Sequence, residues 1–359
     1  MKNKKNTILG FLFSVFLLSF SLNFNEIKLK DTDKILDILV KLGDEKPLHF
    51  KPFSELDKTK IFKGKEIIKK GFTTRPNGKK TKKQSKHFVC VDCHNTKQED
   101  PDLRFSNPET RLKYAVKNNI RFLQGTTMYG TVNRKHWYND DYYKKYGDLV
   151  VSAKDTLKNA IHLCATVCSQ GRDLDDFEME AVMEYFLSIG YNIKDLNLSE
   201  SEKFTIEKTL QKGIKSQQII DIIKSKYLDY SPATFLKPIP KKERKLGKGA
   251  NAQNGEKIFE LSCLPCHNNA KNITNYKLSK GKLDMKHLKF WSGTKKRFSV
   301  YEMIREGTYP MNGYHPYMPL YTKERMSDQQ IEDLVEYINR MAKNGTIKKK
   351  YRTTITPSF

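Results

Sequence analysis

The feature that most constrains this chain is a five-residue motif, Cys-x-x-Cys-His, which occurs twice. It occupies residues 90–94 as Cys-Val-Asp-Cys-His and residues 263–267 as Cys-Leu-Pro-Cys-His. Two thiols at this spacing lie on one helical turn. A zinc site would need a further pair of ligands for each motif, and the sequence offers no paired histidines for that purpose. Two complete copies are therefore not a chance match, and they indicate that both motifs bind the same kind of group.

Cys-x-x-Cys-His is the attachment signature of c-type haem. The thiols add across the two vinyl groups of the porphyrin, and the adjacent histidine supplies the proximal nitrogen to the iron. The sequence therefore predicts two covalently bound haem c groups. The residues that would hold them are Cys90, Cys93 and His94 in the first motif and Cys263, Cys266 and His267 in the second.

The N terminus predicts export. A short basic stretch, residues 1–5, precedes an apolar run from Ile8 to Leu22. This run is shorter than the ~20 residues that a membrane span needs, and it matches the apolar core of a signal peptide. We therefore expect residues 1–22 to be a signal peptide and the protein to be periplasmic. An uncleaved membrane anchor is the alternative, and membrane association is expected only in that case.

The chain is strongly basic. Its 359 residues include 66 Lys and Arg against 41 Asp and Glu, a formal charge of +25, which falls to +22 when Lys2, Lys4 and Lys5 leave with the signal peptide. Such a charge favours redox protein partners with acidic docking faces, or a small anionic substrate. No nucleic-acid-binding module is recognisable, so nucleic acid is not an expected partner.

The surroundings of the two motifs repeat. Gly64 and Gly255 each open a similar stretch before a motif, which predicts the start of a short amphipathic helix. Downstream, residues 176–186 resemble residues 328–338, and both carry apolar residues at the i, i+3, i+4, i+7 spacing of an amphipathic helix. The order of helix, motif, ligand loop and C-terminal helix resembles the class I cytochrome c fold, used twice.

This resemblance implies an all-α protein with two class I cytochrome c-like domains in tandem. Residues 73–80, inserted before the first motif, contain a Pro-Asn-Gly turn signal and predict a basic hairpin or loop. Ser199 is expected to cap one helical stretch that reaches about Tyr227. The predicted segments are a signal peptide 1–22, an N-terminal lead-in 23–59, cytochrome c domain 1 at 60–195, a helical Pro/Lys-rich linker 196–247, cytochrome c domain 2 at 248–345, and a basic tail 346–359.

Class I cytochromes usually take their sixth iron ligand from a methionine in the loop before the last helix. Met318, within Tyr-Met-Pro-Leu, occupies that place in the second repeat. Met311 and Met326 are the alternatives, but Met326 lies just before the helix start at Ser327, which leaves it little reach across the haem. We therefore expect His267 and Met318 to bind the second iron.

The first repeat has cysteines where the methionine ligand should be. Counting back from the tyrosine of the C-terminal helix by the same number of residues leads to Thr166, between Cys164 and Cys168. A thiolate is a soft donor to haem iron and would lower its potential. His94 and Cys164 are therefore the expected ligands of the first iron. Met128, His136 and a disulfide between the two cysteines stay open as alternatives.

Residues 161–172, with the helix that follows, are similar to the Cys-ligated haem domain of thiosulfate dehydrogenases and of sulfur-oxidising cytochromes. That resemblance implies Cys164 as an iron ligand and Arg172 as a basic group near a sulfur anion. The chain departs from the family pattern through its second cysteine, Cys168. Two-haem peroxidases carry a Trp-Asp-Gly-Arg stretch that this sequence lacks.

Two functions follow from these patterns. The leading one is an exported dihaem cytochrome that transfers electrons between periplasmic or membrane redox partners. The alternative is a haem enzyme that oxidises a small sulfur anion such as thiosulfate at a Cys-ligated haem, with the second haem as the electron exit.

Overall fold

The computed structural model describes residues 27–268, 273–274, 276–293, 299–308 and 317–345. The predicted signal peptide, the predicted basic tail and Met311 lie outside these ranges. Within them the chain is helical, and its only β-type pairings are isolated bridges. The prediction of an all-α fold is confirmed for this part of the chain. None of its helices is long and apolar enough to cross a lipid bilayer.

The described ranges contain helices α1 Ile35–Lys41, α2 Lys58–Lys70, α3 Cys90–Cys93, α4 Pro108–Lys117, α5 Asp140–Tyr146, α6 Leu157–Leu163, α7 Asp176–Ser188, α8 Glu200–Gln211, α9 Gln217–Lys224, α10 Ala252–Ile258, α11 Leu264–His267, α12 Lys282–Gly293, α13 Val300–Glu306 and α14 Asp328–Asn344. π-helical turns continue α6 and α10, at Cys164–Cys168 and Phe259–Cys263. Short 3-10 turns lie at Phe53–Glu55, Thr131–Asn133, Gly147–Val150 and Ile193–Asp195.

Local sequence signals place several helix ends. The Ser199 and Ser327 hydroxyls cap α8 and α14 in reciprocal capping boxes, as expected. The helical stretch after Ser199 is not continuous, however. It breaks at Gly213, whose φ of 63° lies in the left-handed region, and α9 then starts a second helix. Before the first motif, an isolated bridge between Thr74 and Lys80 gives the inserted segment a hairpin shape.

Gly64 and Gly255 do not start helices, contrary to the prediction. Both lie inside helices, at points where two helices cross closely. A β-carbon on Gly64 would lie 2.0 Å from the carbonyl oxygen of Ala181 in α7, and one on Gly255 would lie 2.0 Å from that of Asp333 in α14. Each would also lie 2.8 Å from the β-carbon of an equivalent tyrosine, Tyr185 or Tyr337. The glycines therefore set the separation of α2 from α7 and of α10 from α14.

Buried apolar side chains form three clusters. The first joins α2 to α7. The second joins α10, α12, α13 and α14, and it also takes in Leu112 and Ala115 of α4 together with Phe122. The third joins α1 to α8 and α9, so that Ile35 near the N terminus packs with Ile220. The segments predicted to be lead-in and linker thus share one core, to which Tyr191 and Ile193 of predicted domain 1 also contribute.

Candidate cofactor site

A cavity of about 990 Å³ lies beside the first motif. Its walls come from the motif, residues 124–128, the π-helical turn after α6 and residues 317–320. The lining is largely aromatic and aliphatic, and it includes Phe88, Trp137, Tyr138, Tyr142, Tyr146, Phe186, Phe235 and Tyr317. Cavities of this size and composition hold large, mostly apolar cofactors.

The imidazole of His94 is oriented for metal binding. Its Nδ1 lies 2.6 Å from the carbonyl oxygen of Thr126. Because a carbonyl can only accept, Nδ1 carries the proton and Nε2 keeps its lone pair. A β-carbon on Gly125 would lie 2.6 Å from this ring, so only glycine allows the loop to approach it. Burial lowers the pKa of His94, which favours the neutral, ligating form.

His267 in the second motif has the same arrangement. Its Nδ1 lies 2.7 Å from the carbonyl oxygen of Tyr276, so its Nε2 also carries the free lone pair. Burial again lowers the pKa of the imidazole. The residues of both motifs therefore fit an iron ligated through Nε2.

Three of the attachment thiols, Cys90, Cys93 and Cys263, are neutral at physiological pH. Burial raises the pKa of Cys90 to about 12, and burial together with the neighbouring Cys266 raises that of Cys263 to about 12. Structural zinc sites bind cysteines as thiolates, which these surroundings disfavour. No disulfide joins any of the six cysteines, all of which lie in the described part of the chain.

The π-helical turn brings Cys164 and Cys168 together in the cavity wall. A hydrogen bond between the two thiols, along with burial, raises the pKa of Cys164. The same bond lowers the pKa of Cys168, helped by a hydrogen bond from the Tyr138 hydroxyl and by the nearby Lys145. The better stabilised thiolate is therefore Cys168, whereas the sequence resemblance selected Cys164.

The two other proposed ligands of the first iron differ in position. Met128 lines the cavity, but its backbone N–H donates to the carbonyl of Asn95, directly beside the motif histidine. The side chain of His136 is 49% exposed and pairs with Asp155. It is not among the described residues that line the cavity. The structure thus separates His136 from the motif.

Arg172 does not lie where the resemblance to sulfur-oxidising enzymes put it. Both of its terminal nitrogens bind the carboxylate of Glu178, at 2.7 Å each, and hold the start of α7. It is not part of the cavity wall within the described residues. The cationic side chains that line the cavity there are Arg134, Lys145, Lys241 and Arg305.

Met318, expected at the second iron, lies in the cavity wall beside the first motif. It lines the same cavity as the first motif, whereas no described residue of the second motif is in that wall. Burial and the thiols of Cys168 and Cys93 raise the pKa of the preceding Tyr317. Three residues on, burial and the thiols of the second motif raise the pKa of Tyr321. The segment around Met318 therefore passes close to the cysteines of both motifs.

Hydrogen bonds also join the segment just before the second motif to the first half of the chain. The backbone N–H of Phe122 donates to the carbonyl of Leu261 at 3.0 Å, and the Ser262 hydroxyl donates to the carbonyl of Phe122 at 2.7 Å. Burial and the neighbouring Cys266 raise the pKa of Cys93. The segment that precedes the second motif is therefore fixed to the first half of the chain.

Sequence reasoning missed a buried ion pair behind His94. Nη2 of Arg325 lies 2.7 Å from Oε2 of Glu99 and 2.7 Å from the carbonyl oxygen of Gly125. Burial opposes ionisation of Glu99, but Arg325 and then Arg111 lower its pKa overall. Glu99 and Arg325 are 226 residues apart, and no local pattern signals their contact. Arg325 thereby holds the loop that orients His94.

A helical fold that presents a Cys-x-x-Cys-His histidine with a free Nε2 defines a c-type cytochrome. The cytochrome c family model matches residues 252–342. Over 96 residues the chain is 32% identical to a cytochrome c6-like protein of Nostoc sp. (strain PCC 7120), and the alignment covers 26% of this chain and 75% of that protein. The chain belongs to the cytochrome c family, and a cytochrome c domain implies covalently bound haem c. No solved structure matches the chain.

Proposed function

We propose that the protein is an exported dihaem c-type cytochrome that transfers electrons between periplasmic or membrane redox partners. The observation that carries this proposal is that His94 and His267 make the same hydrogen bond. Each donates its Nδ1–H to a backbone carbonyl, which leaves Nε2 for iron. The matched crossings at Gly64 and Gly255 support two tandem cytochrome c-like domains. The N-terminal signal peptide pattern supports a periplasmic location.

The side chains of this protein bind, orient and shield the cofactor. When bound, haem c supplies one-electron chemistry, because its iron cycles between the ferric and ferrous states. The apolar cavity wall limits the access of water, which helps to set the potential. The proposed attachment residues are Cys90, Cys93, Cys263 and Cys266, and the proposed iron ligands are His94, His267, Met318 and a thiolate of the π-helical turn.

Redox titration of the purified protein, followed by visible absorption, tests the function. We expect two one-electron steps at different potentials, the lower one from the haem bound by the anionic thiolate. A single step of one electron per chain would contradict the dihaem proposal.

The thiolate ligand is tested by replacing each cysteine of the pair. The resemblance favours Cys164, while the hydrogen bond from Tyr138 favours Cys168. Low-temperature electron paramagnetic resonance distinguishes thiolate-bound from Met-bound low-spin haem. We expect one of Cys164→Ser and Cys168→Ser to abolish the thiolate signal and the other to retain it. Retention of the signal in both variants would assign the ligand to another residue, with Met128 first.

Met318 is tested in the same way. Oxidised His/Met haem has a weak absorption band at the red edge of the visible spectrum, from charge transfer between sulfur and iron. Met318→Ala should abolish this band, and Met326→Leu is the matched control because Met326 is buried in the core. Persistence of the band in Met318→Ala would contradict the assignment.

Oxidation of a small sulfur anion is the second candidate function. The pair of thiols and the cationic Lys145 and Arg134 in the same cavity wall favour it. Anaerobic addition of thiosulfate to the oxidised protein should then reduce the haems, and Lys145→Gln should slow that reduction. No reduction by sulfur anions would return the protein to the class of electron carriers.

A further inference from the structure

We propose that the solvent side of α12 is the docking surface for an acidic redox protein, and that Tyr276 and His287 connect this surface to the proximal side of the second haem site. The proposal rests on the proposed function only in needing haem c at the second motif, which the cytochrome c domain implies. We call this surface the α12 patch, and it consists of Tyr276, Leu283, Lys286, His287 and Phe290.

The α12 patch exposes large apolar side chains on the solvent side of a surface helix, where polar residues are usual. The opposite side of α12 buries Met285 completely in the core. Leu283 is 82% exposed and Phe290 is 54% exposed on the solvent side, with Lys286 and His287 exposed between them. These four residues have the i, i+3, i+4, i+7 spacing that forms one continuous stripe. Large exposed apolar side chains on one helix stripe, interleaved and surrounded by charged residues, are typical of an interaction site.

The charge around the patch selects the partner. Lysines surround the apolar residues: Lys280, Lys282, Lys286 and Lys289 are exposed. Lys280 pairs with Glu260. Among the described residues no acidic side chain pairs with Lys286 or Lys289, and both are exposed. The carboxylate of Asp284, the acidic residue of this helix, accepts hydrogen bonds from Ser279. Unpaired lysines on a chain of charge +25 attract acidic surfaces and oppose the binding of a second copy.

Aromatic rings link the patch to the proximal ligand. The ring of Tyr276 lies 5.8 Å from that of His267 and 5.9 Å from that of His287, between ring centroids. His287 in turn lies 6.1 Å from Trp291, whose indole N–H donates to it at 2.9 Å. The carbonyl of Tyr276 also accepts the proton of His267 Nδ1. A partner on the patch is therefore separated from the proximal imidazole by one aromatic ring.

Binding of plant-type [2Fe–2S] ferredoxin, an acidic redox protein, to the holoprotein tests the proposal. Calorimetry with oxidised ferredoxin measures affinity without electron transfer. The double variant Lys286→Glu/Lys289→Glu should weaken binding by about tenfold or more at low salt and flatten its salt dependence. Phe290→Ser should weaken binding by about threefold to tenfold with little change in salt dependence, because it removes apolar contact alone. The rate of haem reduction by reduced ferredoxin should fall in parallel.

The matched control is Lys65→Glu/Lys69→Glu, which makes the same charge change at exposed positions of α2. It should retain binding to within about twofold. If the two double variants weaken binding equally, or if neither weakens it, the proposal is overturned. The proposal is also overturned if Lys286→Glu/Lys289→Glu loses binding to vesicles that contain phosphatidylserine but binds ferredoxin unchanged. The α12 patch would then bind a membrane surface. For every variant, intact haem absorption and reduction by dithionite show that redox-active haem is still present. A loss of binding then counts against the docking surface and not against the proposed function.

Discussion

A single hydrogen bond to a backbone carbonyl decides which nitrogen of each motif histidine can bind iron. For His94 the accepting carbonyl belongs to Thr126, and the adjacent Gly125 lets the loop lie against the ring. The N–H of Gly125 also donates to the carbonyl of Cys93 at 2.9 Å. The loop and the motif therefore hold each other in one geometry.

Gly125→Ala should disturb the proximal ligand without detaching the cofactor. The new β-carbon would lie 2.6 Å from His94 and 2.7 Å from the carbonyl oxygen of Cys93, so the ring must move. We expect one of the two haems to become high-spin in the electron paramagnetic resonance spectrum, with the haem content unchanged. Lys65→Ala is the control, because Lys65 is exposed in the middle of α2. An unchanged spectrum for Gly125→Ala would contradict this account of His94.

Asp100 predicts a pH dependence of stability. Burial raises its pKa to about 6, against the pull of Arg325 and Arg111, and no hydrogen-bond partner among the described residues reaches its Oδ1. An unfolded aspartate titrates near pH 3.9, so between about pH 4 and pH 6 the folded state binds more protons. The contribution of Asp100 to stability is therefore present below this window and is lost as the pH rises through it.

Asp100→Asn should remove this loss. We expect the free energy of unfolding at pH 7 to rise by about 1–3 kcal/mol, with little change at pH 4. Urea denaturation at both pH values measures the difference, and Asp31→Asn, at an exposed position, is the control. Destabilisation of Asp100→Asn at pH 7 would show that the carboxylate is favourable in the folded protein.

Among the helices, the crossings at Gly64 and Gly255 are the most demanding contacts. Alanine normally stabilises a helix relative to glycine by about 1 kcal/mol. Here its β-carbon would overlap the backbone of α7 or α14, so the helices must separate. We expect Gly64→Ala and Gly255→Ala each to destabilise the protein by about 1–3 kcal/mol in denaturant titrations. Lys65→Ala is the exposed control, and stabilisation by either glycine substitution would contradict the close crossing.

Sequence patterns predicted the helices whose signals are local. The capping serines, Ser199 and Ser327, and the apolar stripes of α7 and α14 needed only neighbouring residues to be recognised. The glycines were misplaced because a crossing depends on the partner helix, which no local pattern contains. The pairing of Glu99 with Arg325 was missed for the same reason. The resemblance alone placed Arg172 near a sulfur anion, whereas in the structure Arg172 binds Glu178.

At the scale of the whole molecule, the Glu99–Arg325 pair connects the segment before α14 to the loop beside the first motif. Both side chains are 3% exposed or less. Arg325 also binds the carbonyls of Leu123 and Gly125, so its guanidinium has several acceptors. A buried charge that loses such a partner is strongly unfavourable. The pair therefore makes the two halves depend on each other for stability.

Arg325→Gln should destabilise the protein by about 3–5 kcal/mol, because it leaves Glu99 buried and unpaired. The double variant Glu99→Gln/Arg325→Gln should recover part of that loss, and a double-mutant cycle measures the coupling. The exposed pair Lys154–Asp140 provides a comparison whose coupling should be below about 1 kcal/mol. Additive effects of the two buried substitutions would contradict a direct interaction.

The central claim is that both motifs carry haem c, and intact mass spectrometry of the purified protein tests it most directly. The protein should exceed its polypeptide mass by two haem groups, and the excess should survive acid–acetone extraction because thioether bonds hold both groups. Cys90→Ala/Cys93→Ala and Cys263→Ala/Cys266→Ala should each lose one haem group and retain the other. An excess of one haem group in the unaltered protein, or loss of colour into the organic phase, would contradict the account.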